Sequence, residues 1–84
     1  MSHIPPPSVL KAFPETHLVK SKTFIQGTRK LRRRWQEANG SIYEWDYRHG
    51  TVEKYDKSGR HLREYHPETG ILLKPADPNR KVEP

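Results

Sequence analysis

Residues 39–55 read NGSIYEWDYRHGTVEKY, and this stretch decides the fold. Asn39-Gly40 is a two-residue hairpin signal, because both residues tolerate positive φ. From Ser41 to Tyr47 the chain alternates. Tyr43, Trp45 and Tyr47 fall on one face of a strand, Ile42, Glu44 and Asp46 on the other. Arg48-His49-Gly50 marks a turn, and Thr51 to Tyr55 makes the next strand.

The same reading extends outward. Upstream, Leu31 to Gln36 is a strand anchored by Trp35. Downstream, Asp56-Lys57-Ser58-Gly59 turns into a strand over Arg60 to Tyr65. His66-Pro67-Glu68-Thr69-Gly70 turns into a last strand over Ile71 to Lys74. Short strands joined by turn residues predict a mainly β fold, a small antiparallel meander. Residues 1–28 form a Pro-rich N-terminal segment ahead of the β region, 29–84. In it, Ser8 caps a short helix over Val9 to Phe13 that Pro14 stops, and Thr23 to Ile25 adds an edge strand. The Pro-rich tail from Pro75 to Pro84 is expected to be irregular.

Composition narrows the function. Eighty-four residues, 31% of them apolar, build one small core and leave no room for an enclosed cofactor. There is no cysteine, hence no disulfide frame and no thiolate metal site. No apolar run is long enough for a membrane span, so no membrane insertion is expected. The net charge of +6 lies entirely in residues 1–40, which hold eight basic and two acidic side chains. Arg29, Lys30, Arg32, Arg33 and Arg34 form a block beside aromatic residues, the footprint of a phosphate-backbone partner. A solvated basic segment or a membrane-surface patch would carry the same charges.

Three residues around one turn, Asp46, His49 and Glu53, suit acid–base chemistry. RNA carries its own nucleophile, the ribose 2′-OH. A base for that proton, an acid for the leaving 5′ oxygen and a cation for the phosphorane suffice to cut it. The bland alternative is that Asp and His are common in turns and that Glu53 is merely solvated. The hypothesis sets a geometric condition. Asp46 and Glu53 share a face only if the connecting loop is even in length or bulged. The five histidines show no zinc-site spacing, and His61 and His66 read as surface residues. Of Tyr43, Trp45, Tyr47 and Tyr55, all able to stack on unpaired bases, Trp45 and Tyr43 are better placed for the core.

Arg32-Arg33-Arg34-Trp35, Ile42 to Asp46, His49-Gly50, Glu53 and Tyr55 together resemble the cytotoxic domain of the ribosome-inactivating E-type colicins and cloacin. The likeness continues through Gly59, His61-Leu62, Pro67, Thr69-Gly70, Lys74, Asp77-Pro78 and Arg80, over roughly residues 29–81. The resemblance implies a small, highly twisted antiparallel sheet with a short N-terminal helix, and a metal-independent toxin endoribonuclease that needs no cofactor. It would cut small-subunit ribosomal RNA at the decoding centre and leave a 2′,3′-cyclic phosphate. It implies Asp46, His49, Glu53 and Arg80 as catalytic residues, with the acid and base labels on His49 and Glu53 exchangeable. The basic block, with Lys54 and Lys57, would dock the RNA backbone, and Tyr47, Arg48 and Tyr55 would lie beside it. At Tyr47-Arg48 the colicins carry small or uncharged polar residues, so this chain adds a cation there. The implied partners are the ribosome and an acidic immunity protein or antitoxin. The implied place of action is the bacterial cytoplasm, reached as a stand-alone toxin or from outside as part of a larger secreted one. A non-catalytic RNA-binding module of the same fold is the alternative.

Overall fold

The computed structural model describes residues 3–84; residues 1–2 of the N-terminal segment lie outside the described residues. Six strands form one antiparallel sheet in chain order: β1 His17–Val19, β2 Arg34–Gln36, β3 Ile42–Asp46, β4 Thr51–Tyr55, β5 His61–Tyr65 and β6 Leu72–Lys74. The predicted meander is present. Asp46 pairs with Thr51 around the four-residue loop 47–50, so the even-loop condition is met. Gly50 closes that loop at φ 68°, donating its N–H to Asp46 O at 2.8 Å.

Alternation gives the sheet two unlike faces. On one, Trp35, Tyr43, Trp45 and Val52 form the core with Leu10, flanked by Phe13, Tyr47 and Tyr65. The N-terminal segment crosses this face. Trp45 Nε1 donates to Ile4 O at 2.8 Å, and Ala12 N donates to Pro67 O at 3.1 Å. The other face carries Arg34, Glu44, Asp46, Thr51, Glu53, Tyr55 and Glu64.

Several expectations are corrected. No helix forms over Val9 to Phe13. The segment makes only two successive turns, Phe13 N to Leu10 O and Thr16 N to Phe13 O. Five residues before a proline cannot recover the cost of helix nucleation, and Ala12 spends its N–H on Pro67 instead. Thr23 to Ile25 is not an edge strand: Phe24 makes a single bridge to Leu31, and the true edge is His17–Val19. Leu31 to Gln36 therefore shortens to β2. At the first hairpin Asn39 keeps a negative φ, and Gly40 alone is left-handed, at φ 93°. Glu37 N donates to Ser41 O, so the loop has three residues with glycine last, a form in which only the third position needs positive φ. The tail makes no further strand but is pinned at Gly59–His61: Arg60 bridges Lys81, and Val82 N donates to Gly59 O at 2.8 Å.

Candidate active site

A row of charges crosses the second face. Register aligns Arg34 with Glu44, Glu44 with Glu53, Glu53 with Glu64 and Glu64 with Lys74. The three glutamates are buried, at 0%, 1% and 5% exposure. Buried carboxylates demand partners, and each has a different one. Arg34 Nε and Nη2 donate to Glu44 Oε2 at 3.0 and 2.7 Å. Thr51 Oγ1 donates to Glu64 Oε2 at 2.9 Å. Glu53 is held at both oxygens: His61 Nε2 lies 2.7 Å from Oε1, and Arg80 Nη1 donates to Oε2 at 3.0 Å.

Asp46 and His49 form the neighbouring pair. His49 Nδ1 lies 2.8 Å from Asp46 Oδ2, while Asp46 Oδ1 accepts from the backbone N–H groups of Arg48 and His49. Burial acts to raise the Asp46 pKa, but the His49 ring and these two N–H groups outweigh it and hold the carboxyl below its ordinary value. The His49 ring is half exposed, and its Nε2 has no partner among the described residues, so it can reach a bound substrate.

Arg80 comes from the tail. Its Nη2 also donates to Tyr55 Oη at 3.2 Å. Burial acts against its charge, but Tyr55 and Glu53 more than offset this. The Tyr55 phenol is itself pushed up to about 12, chiefly by burial, and stays protonated. Asp46, His49, Glu53 and Arg80 thus share one face, as two hydrogen-bonded pairs. Asp46, Glu53 and Glu64 bring oxygens within 4.8 Å of one another, a donor set for a cation, and each carboxylate already accepts from a protein donor.

His61 is the residue that sequence reasoning missed. It is buried, not on the surface. Its Nδ1 accepts from Asp77 N at 3.0 Å, which assigns the ring proton to Nε2 and makes Glu53 its acceptor. Its own N–H donates to Arg80 O. One histidine therefore fixes both the carboxylate and the tail that brings Arg80. The one available signal was its place in the His61-Leu62 resemblance.

The expected RNA contacts divide. Arg29, Lys30, Arg48 and Lys57 are exposed, and Arg32 and Arg33 are half-buried. Tyr47 is half-buried against His3. Three residues are placed otherwise. Arg34 is buried on Glu44 and faces no solvent. Lys54 projects from the opposite face to Glu53, 3.7 Å from Glu37. Tyr55 is buried beneath Arg80, with no ring surface free for a base.

Comparison with known proteins places these residues in context. A family described as Cytotoxic matches residues 4–83, which includes most of the N-terminal segment. The chain is 43% identical to Colicin-E6 of Escherichia coli over 75 residues, covering 87% of this chain and 14% of that protein. It is 46% identical to Colicin E3 of the same organism over 63 residues, 73% of this chain and 11% of that protein. It is 40% identical to Cloacin, also from Escherichia coli, over 75 residues, 87% of this chain and 13% of that protein. The chain therefore spans about a seventh or less of the length of these relatives.

Proposed function

The chain belongs to the Cytotoxic family, and from that membership we propose that it is a toxin endoribonuclease that cuts small-subunit ribosomal RNA at the decoding centre and so stops translation. One observation carries the chemistry: a buried carboxylate, Glu53, lies between a histidine and an arginine on the same face as the Asp46–His49 pair.

Glu53 takes the proton of the 2′-OH. The 2′ oxygen attacks the adjacent phosphorus, and His49 protonates the departing 5′ oxygen through Nε2. The products are a 2′,3′-cyclic phosphate and a 5′-OH end. Asp46 holds the His49 ring by Nδ1 and so turns Nε2 outward. Arg80 faces Glu53 before the reaction. Once Glu53 takes the proton its charge is gone, and the guanidinium is free to offset the charge growing on the phosphorane. The exposed cations Arg29, Lys30, Arg48 and Lys57, with the half-buried Arg32 and Arg33, hold the RNA backbone. The reaction takes place in the cytoplasm of the target cell, and an acidic immunity protein protects the cell that makes the toxin.

Incubating purified ribosomes with the protein and mapping the small-subunit RNA tests this reading. Wild type yields one cut. Glu53→Gln and His49→Ala each lower the rate by about 100-fold or more, the scale of a lost acid or base, while ribosome binding is kept. A wild-type rate in either variant removes that residue from its role.

A further inference from the structure

Residues 23–32 form an arm outside the six-stranded sheet. Arg32 N donates to Thr23 O at 2.7 Å and Ile25 N to Lys30 O at 2.8 Å, with Phe24 and Leu31 directly opposite each other between these bonds. The arm turns at Gly27, φ 79°, where Thr28 N donates to Ile25 O. Its base is fixed to the acidic face: Thr23 Oγ1 donates to Glu44 Oε2 at 2.6 Å, and Glu44 is the cross-strand neighbour of Glu53. The arm therefore borders the catalytic face.

Two features of the arm have no use within the fold. Phe24 is 62% exposed and Leu31 40%, although the fold buries both tryptophans, Tyr43 and Tyr55. As bridge partners, Phe24 and Leu31 point to the same side and make one small apolar platform. Around it the chain carries no acidic residue from 16 to 36. Among the described residues, no carboxylate lies within ion-pair distance of Lys20, Arg29, Lys30 or Arg32. Unpaired cations around an exposed ring are the elements of single-strand recognition, in which charge tracks the phosphates and the ring takes a base.

We infer that the 23–32 arm is an RNA-docking element in which Phe24 stacks on an unpaired base of the strand whose phosphates the arm's cations hold. This deepens the ribonuclease reading and rests on it for the identity of the strand. It also replaces Tyr55, which is buried, as the stacking residue.

The test uses the full chain with Glu53→Gln, so that RNA persists, and a short labelled single-stranded RNA of mixed sequence. Phe24→Ala and Phe24→Leu are expected to weaken binding about tenfold, the scale of one lost stack, and Phe24→Trp to keep or tighten it. The salt dependence stays the same in all three, because no phosphate contact is lost. Unfolding temperatures stay the same, because the ring is exposed. Phe24→Leu binding as tightly as the unsubstituted chain overturns stacking, and so does a large fall in unfolding temperature in Phe24→Ala. Loss of binding to phosphatidylglycerol vesicles in Phe24→Ala, with RNA affinity unchanged, overturns it in favour of a membrane surface. With Glu53 restored, ribosomes cut equally well with and without Phe24 sink the arm and spare the enzyme. Phe24-dependent RNA binding with no cut by the wild-type chain sinks the enzyme and spares the arm.

Discussion

Asp46 uses its two oxygens for two tasks. Oδ1 ties the backbone of the turn, and Oδ2 holds the His49 ring. Its depressed pKa makes this pair a source of acid-sensitive stability. A carboxylate depressed in the folded state contributes fully above its unfolded value, about 3.9, and loses that contribution as pH falls through its folded value. Asp46→Asn is therefore expected to unfold at lower temperature than wild type at pH 7, with the gap closing below about pH 4. A gap that stays constant from neutral pH to pH 3 would mean that the charge of Asp46 contributes nothing. The parity of the turn was open. Three turn residues, 48–50, would set Asp46 and Glu53 on opposite faces, and only β3 ending at Asp46 makes the loop four. At this scale the clustering of Asp46, His49 and Glu53 around that turn was legible. His61 was not. Pairing shifts between Lys54 and Tyr55, so that Tyr55 faces His61. Without that irregularity Leu62 would face Tyr55, and the imidazole would point to the opposite side. Alternation alone does not reveal where such a shift falls.

At the scale of elements, Arg32, Arg33 and Arg34 show how a pleat divides a charge block. Arg33 N donates to Tyr47 Oη, its Nη1 reaches Pro7 O at 3.4 Å, and Arg34 turns to the opposite face and meets Glu44. A run of three arginines reads as a solvated patch because register is invisible in it. Only the register that sets Arg34 opposite Glu44 settles which one goes inside. Removing one member of a buried pair leaves the other charged and desolvated, at a cost of about 3–5 kcal/mol. Arg34→Ala is expected to lower the stability by that amount in urea unfolding, while exposed Arg29→Gln changes it by less than about 0.5 kcal/mol. Replacing Arg34 and Glu44 together with Met and Leu should recover most of the loss. Equal effects of Arg34→Ala and Arg29→Gln would show that the pair is solvated. The missing helix belongs to this scale too: neither Ser8 nor Pro14 bounds a unit of structure, because the turns run from Leu10 to Phe13 and on through Pro14 to Thr16.

In the whole molecule, both ends of the chain fold back onto the sheet, one on each face. Residues 4–13 lie over the aromatic side and residues 77–82 over the acidic side. The radius of gyration of 11.7 Å is that expected when a chain of this length packs as one body. The sequence divides at residue 28 by composition, Pro-rich before and β-patterned after, but composition does not say what covers an aromatic face. Among the described residues Leu10 does so as the one fully buried apolar side chain from outside the strands, packed with Trp35, Tyr43, Trp45 and Val52. Leu10→Ala is expected to cost about 2–5 kcal/mol, a large part of the stability of so small a domain. The stronger test is a chain that starts at Arg29. It retains five of the six strands but exposes both tryptophans, and it lacks the backbone acceptors at Ile4 and Ser8 that their indole N–H groups use. Such a fragment is expected to bind a hydrophobic dye and to melt without a cooperative transition. A sharp transition in the 29–84 fragment, with catalytic activity retained, would instead make the first 28 residues an accessory to a self-sufficient sheet.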